Sequence, residues 1–469
     1  MDFNVKSKLI QTQIAKHREL LMTGKSDLSL THILSTDKCQ DIIMGCRVFR
    51  DRIYTPFKIL IIFIKQVINP DKSCKNAVAG VVAEHLSVSI KRPTNNTGPY
   101  CKARERLSEV MIKTLAKEVA GTAGQHSSNQ WRWRNRNVHV VDGTTLTMPD
   151  TENNSQVFLR HKNYKGEVAL PMVRLVVLLS LTVGTILDYA LGAMQGEGTG
   201  EHSLLRSILN VLNKEDFLLG DAYYPSFFLL SDLLNRGLEG VFVGCNRRNH
   251  DFRCGKSLGK NDHIVEWKRP VKPNWMDEEI YAIHPKKIFL REFRVGGRVY
   301  ITTFLSSKKY NKKELSRLYD FRWQVEITLR DIKRTMKMEM LSCKSAEMVK
   351  KEIGVHVLGY NLIRILMAEA CMKYNAIPHQ VSFKGSLQLL NQFLPYFSSS
   401  VSSIRKQLFS ELLRIIVTNK VAHRPGRVEP RALKTEKRNR FCTMKEPRAI
   451  MRNRLLQQRD RRILKYGIT

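Results

Sequence analysis

Between residues 138 and 243 short apolar or β-branched runs alternate with helix-forming segments, and this alternation limits the fold more than any other feature of the chain. VHVVD ends on Asp142 and is followed at once by Gly-Thr, the composition of a buried strand stopping at a loop. ALPMVRLVVLLS and LTVGTILDYALG read as paired strands, and EHSLLRSILNVLNK has helical spacing. DFLLGD is a further short strand, ending on Asp221. PSFFLLSDLLNRG reads as a helix with proline in its first turn and glycine at its end, and LEGVFVG returns to strand. The order β-β-β-α-β-α-β predicts an α/β core around a mixed sheet, with aspartates at the ends of its first and fourth strands.

The flanks differ in character. Residues 1–130 read as a mainly helical region, with an amphipathic helix beginning near Tyr100, and 131–245 as the first part of the core. Residues 246–296 are rich in Lys, Arg, His, Gly and Pro, carry IVEW and KIFLREF as strands, and read as a β-rich insertion with little helix. Residues 297–370 restore the core with a hairpin at GGRVYITTFLS and a long helix over Asn311–Met338; residues 371–469 read as helical support and a basic tail. At 469 residues, with a formal net charge of +35, the chain can bury sizeable cores, and its charge favours a polyanionic partner over a small neutral metabolite. The surplus lies outside the core: residues 138–245 hold seven Lys/Arg against twelve Asp/Glu, whereas 421–469 hold fifteen against four. No signal-type segment opens the chain, and its longest apolar run, Leu175–Leu187, is too short to span a bilayer. The nine cysteines form no CxxC pair, which suits a reduced compartment.

The helix over Asn311–Met338 carries the chemistry. At about 100° per residue, Tyr319, Arg322, Glu326 and Lys333 share an arc of roughly 60°, beside a separate apolar face of Leu318, Phe321, Val325, Leu329, Ile332 and Met336. A solvated ion-pair ladder is the competing reading of that polar edge, and aspartates at strand ends also serve as ordinary turn residues. If the strands carrying Asp142 and Asp221 are neighbours, these two acids and Glu326 supply hard oxygen ligands for divalent ions in phosphoryl transfer, while Arg322 and Lys333 hold phosphate.

These residues resemble the IS4-type bacterial insertion-sequence transposases, DDE enzymes built on an RNase H-like core. YDFRWQVEITLRDIK meets their Y-x2-R-x3-E-x6-K signature at every fixed position, VVDGTTLTMPD resembles their first catalytic motif, and LLGDAYYPS resembles their second. The likeness spans roughly residues 95–370. It implies that Asp142, Asp221 and Glu326 bind catalytic Mg²⁺, with Mn²⁺ as a substitute, and that Tyr319, Arg322 and Lys333 hold the transposon-end phosphate. It further implies double-stranded end DNA and target DNA as partners, with 1–130 a DNA-binding region and 246–296 a DNA-contacting insertion, a homodimer in the synaptic complex, cut-and-paste strand transfer through a hairpin, and a nucleoid-associated place in the bacterial cytoplasm.

Other motifs carry less. Gly196–Gly200 lacks the P-loop lysine and Rossmann spacing, so no nucleotide cofactor is expected. His161, His202, His250 and His263 form no recognisable zinc set. Trp267 or Trp275 could stack on a displaced base, though either fits a core or interface. Arg424 to Arg440 form a basic run suited to DNA phosphates or to a solubilising tail. A DNA-binding repressor without catalysis explains the basic flanks but not the three acids, and an RNase H-fold nuclease without strand transfer shares their chemistry.

Overall fold

The structure is a computed structural model that describes residues 33–45, 53–87, 92–125, 127–163, 166–214, 216–245, 248, 250–400, 402–421 and 446–466. Among these residues the centre is a ten-stranded mixed sheet: β1 (Val138–Thr147), β2 (Arg160–Asn163), β3 (Gly166–Ser180), β4 (Ile186–Ala193), β5 (Phe217–Gly220), β6 (Glu239–Val243), β7 (Lys256–Gly259), β8 (Asp262–Lys268), β9 (Lys287–Val295) and β10 (Arg298–Thr302). The order is β2-β3-β1-β5-β6-β10-β9-β8-β7, with β4 also pairing with β3. β1, β5 and β6 are parallel neighbours, and the other pairings are antiparallel. This helix-flanked mixed sheet is consistent with an RNase H-like fold. The strands drawn from residues 246–296 extend the same sheet rather than starting another.

Period-two alternation divides the central strands between two cores. Val140, Leu146, Leu175 and Val177 face one; Val141, Val176 and Leu178 face the other. On the first face lies the helix Ala346–Lys373, long and apolar enough to cross a membrane by composition, yet with 83% of its most apolar window buried inside the protein. The N-terminal helices Pro56–Ile68 and Glu109–Gln125 pack on it. Asn361 on this helix is fully buried and satisfied: its amide bonds both backbone groups of Ile186 and the carbonyl of Ala116, tying β4 to the Glu109–Gln125 helix. On the second face lie the helices Glu201–Ile208 and Phe227–Asn235.

Four sequence expectations need correction. Asp142 does not end β1, because pairing with β3 carries the strand on to Thr147; the Gly-Thr that reads as a loop is tolerated by a long antiparallel partner. The Asn311–Met338 segment is not one helix. It forms Lys312–Asp320, Trp323–Arg330 and a π turn at Asp331–Thr335, and Phe321 at the break is 46% exposed rather than core. The basic segment near Tyr100 is two helices, Gly98–Arg106 and Glu109–Gln125, separated at Leu107. Pro225 precedes the Phe227–Asn235 helix instead of entering its first turn; Ser226 caps it, and Gly237 follows it with positive φ. The basic run Arg424 to Arg440 lies outside the described residues.

The β8–β9 extension is tied to the segment entering the Lys312–Asp320 helix by a fully buried arginine. Arg291 forks onto Asp262 through two 2.7 Å bonds and donates a third, also 2.7 Å, to the Tyr310 carbonyl. Asp262→Ala strands that guanidinium without its counterion, so urea unfolding should show a loss of about 3–5 kcal/mol.

Candidate active site

The parallel ladder between β1 and β5 ends at Val140↔Leu219. Asp142 therefore emerges where β1 has lost its β5 neighbour while keeping β3, and Asp221 follows β5 directly. Each carboxylate is fixed locally: Asp142 Oδ1 accepts the Gly143 amide at 2.8 Å, and Asp221 Oδ1 accepts the Tyr223 amide at 2.9 Å, an Asx-type turn. The two acids stand within electrostatic reach of one another.

Glu326 arrives from the first face of the sheet. Between the helices Lys312–Asp320 and Trp323–Arg330 the backbone tightens into successive three-residue turns, with Arg322 N bonded to the Tyr319 carbonyl and Val325 N to that of Arg322. Arg322 then bonds Glu326 at 2.7 Å and lies close enough to Asp142 to interact with it. Tyr319, 5% exposed, packs edge-on against Tyr300 beneath Arg322. The π turn widens the helix by one residue where Lys333 leaves it, and Lys333 donates to Thr144 Oγ1 at 3.1 Å, two residues beyond Asp142 on the same face of β1. The structure thus gathers Arg322, Glu326 and Lys333 at the β1 side of the site, with Tyr319 alongside. It sets Glu326 against Arg322, not against the two aspartates.

Glu201 also stands at the site and was absent from the sequence reading. It opens the Glu201–Ile208 helix on the second face, comes within electrostatic reach of Asp142, and accepts the Tyr224 hydroxyl at 3.1 Å. Its carboxyl lies so close to Gly143 that a Cβ there would fall 2.5 Å from Glu201 Cδ. The signal was available as an acid beginning a helix after GEGTG and a glycine directly after Asp142, but neither implies that they touch. Trp267 is core, donating its indole N–H to Glu292, whereas Trp275 is half-exposed under the Arg206 guanidinium. His250 and His263 flank that same Glu292, and His202 bonds the Tyr223 carbonyl.

Burial pushes Asp142 up to about 6; nearby Asp221 and Glu201 add to this, and the Gly143 amide and Arg322 oppose it. Burial likewise pushes Tyr319 up to about 12 and holds Lys333 below the usual lysine range. A carboxylate kept partly protonated by burial and like charge is one whose ionised form a divalent cation would stabilise, and the donors are hard oxygens, so the residues fit magnesium chemistry. Among the described residues, however, no three His, Cys, Asp or Glu side chains are gathered closely enough to hold a metal ion as they stand.

Residues 133–362, which contain every side chain of this site, match the family described as a transposase DDE domain. This chain is a homologue of the IS4-type DDE transposases. It is similar to a protein of Escherichia coli (strain K12) named "Transposase InsG for insertion sequence element IS4", at 25% identity over 353 residues covering 73% of this chain and 77% of that one. The homology supports DNA transposase activity as the general class, with DNA as substrate and the metal dependence general to DDE enzymes.

The raised Asp142 value fixes a sign. Its folded value exceeds that of an unfolded aspartate, so the stability it contributes is complete below about pH 4 and is lost as pH rises through 6. In metal-free protein, Asp142→Asn should raise the unfolding temperature at pH 8, with the gain fading toward pH 4. Thermal denaturation across that range checks it, and a constant or reversed difference contradicts the environment described for Asp142.

Proposed function

We propose that this chain is a metal-dependent DNA transposase that cleaves insertion-sequence ends and joins their 3′ hydroxyls to target DNA. Asp142, Asp221 and Glu326 are its metal-holding carboxylates, and Tyr319, Arg322 and Lys333 its phosphate-holding residues. The observation that carries the reading is the approach of Asp142 and Asp221 beyond the last rung of the β1–β5 ladder, with Arg322 reaching Asp142 while it holds Glu326.

When bound, a divalent ion, magnesium or manganese in its place, supplies a Lewis acid for the attacking and leaving oxygens. The chain's own residues do the rest. Arg322 gives up Glu326 for a phosphate oxygen, which frees the glutamate to turn toward the aspartates. Lys333, held on Thr144 until DNA arrives, offers a second cation along β1, and the Tyr319 hydroxyl, kept protonated by burial, donates without becoming a nucleophile. In the first step water attacks phosphorus at the element end, the bond to the 3′ oxygen breaks, and that oxygen leaves as a free hydroxyl. In the second, this hydroxyl attacks another phosphodiester and displaces its 3′ oxygen, so each bond made matches one broken and no enzyme-linked intermediate arises. Closure on the opposite strand as a hairpin, its reopening by a second water that breaks the new bond and restores the 3′ hydroxyl, and attack of that hydroxyl on target DNA complete a cut-and-paste route in which two copies of the chain hold paired ends.

Purified protein, labelled DNA carrying the element ends, Mg²⁺ and a target plasmid test the reading. Nicked, hairpin and inserted products are expected in that order on denaturing gels; binding without cleavage favours a repressor, and cleavage without insertion a nuclease. Glu326→Gln should keep end binding and lose cleavage by at least about a hundredfold. Arg322→Ala should weaken end binding by about tenfold through lost charge-assisted bonds. Unchanged cleavage in the first variant, or unchanged binding and cleavage position in the second, removes that residue from its role.

A further inference from the structure

The two aspartates lie beyond the reach of the ladder that brings their strands together, so something other than sheet hydrogen bonding must set their separation. β1 and β5 share their last rung at Val140↔Leu219, two residues short of each acid. Beyond it, among the described residues, both acid-bearing segments meet one element, the first turn of the Glu201–Ile208 helix.

Glu201 makes two contacts there. Its carboxyl presses on the backbone of Gly143, the residue after Asp142, in space that any Cβ would occupy. The same carboxyl accepts the hydroxyl of Tyr224, which is fully buried and whose own amide bonds the Asp221 carbonyl at 3.3 Å. Its neighbour His202 holds the Tyr223 carbonyl at 3.0 Å and packs its ring against Tyr223 and Tyr224. Tyr223 is the residue whose amide fixes the Asp221 carboxylate. One pair of adjacent side chains therefore touches both acid-bearing segments, through short contacts that leave little freedom.

We propose that Glu201 and His202 form a bracket that sets the spacing of Asp142 and Asp221, and that Glu201 is a positioning residue for the cleavage reaction. The proposal rests on the transposase reading above. Glu201 acts through the Tyr224 hydroxyl and the Gly143 backbone, so its hydrogen-bonding shape, rather than its charge, is what the site requires. A displacement of the acids by an ångström is enough to slow phosphoryl transfer by about a hundredfold.

The test uses full-length protein with end DNA and Mn²⁺, in three variants. Tyr224→Phe removes only the hydroxyl that Glu201 accepts, Glu201→Gln retains an acceptor of the same shape, and Glu201→Ala removes the bracket. Three readings are taken: single-turnover cleavage, end binding in EDTA, and the Mn²⁺ concentration giving half the maximal rise in unfolding temperature without DNA. Tyr224→Phe and Glu201→Ala should lose cleavage by about tenfold or more, need several-fold more Mn²⁺ for the thermal effect, and bind ends in EDTA as the parent does. Glu201→Gln should recover most of the cleavage. If Tyr224→Phe matches the parent in cleavage and Mn²⁺ response, or if Glu201→Gln is as defective as Glu201→Ala, the bracket is wrong even though the parent cleaves. If the parent itself does not cleave, the transposase reading fails first. Should Glu201→Ala fail to fold, the Tyr224→Phe and Glu201→Gln pair decides alone.

Discussion

The site depends on where one parallel ladder stops. β1 continues beside β3 for its whole length but leaves β5 at Val140, and this unequal pairing opens a cleft at the carboxyl end of two adjacent parallel strands. Open sheets of this kind bind their ligands at that edge, where backbone groups and side chains turn outward from neighbouring strands. Because the cleft opens within the sheet, its walls belong to the hydrophobic cores above and below. Asp142 is consequently held half in protein and half in solvent, which raises its proton affinity.

The second wall shows the same economy. Tyr319, Arg322, Glu326 and Lys333 do not lie along a regular helix edge. They come from a helix end, a tight junction, a short helix and a π turn. Each irregularity changes the direction of a polar side chain while Leu318, Val325, Leu329 and Ile332 remain buried. Breaks at Arg322 and Lys333 thus serve packing and presentation together, which an unbroken helix with fixed angular increments cannot do as freely.

Much of this was legible in the residues. The alternation from Val138 to Val243 foretold the succession of strands and helices along the chain and the β3–β4 pairing, while the spacing of Tyr319, Arg322, Glu326 and Lys333 placed them on one edge of a helix that the structure breaks into three pieces. Helix rotation misjudged Phe321 because it assumes a constant twist, whereas the backbone tightens into three-residue turns at this ring and leaves it exposed. Asp142 was misjudged as a strand end because Gly143 and Thr144 have loop composition, while the pairing that overrides it comes from β3, some thirty residues away. Glu201 was invisible for a related reason: a contact between a helix start and a distant glycine leaves no periodic trace, since each residue alone has an ordinary local explanation.

The helix Ala346–Lys373 is buried on nearly every side, carries the Pro56–Ile68 and Glu109–Gln125 helices, and joins the latter to β4 through the Asn361 amide. The helices that precede the sheet in sequence are thus part of the solvent-excluded interior that supports it. A chain arranged in this way cannot exchange the Pro56–Ile68 and Glu109–Gln125 helices by simple recombination with a relative, as a beads-on-a-string protein can exchange its units. Change in those helices must be accepted or rejected together with the interior they complete.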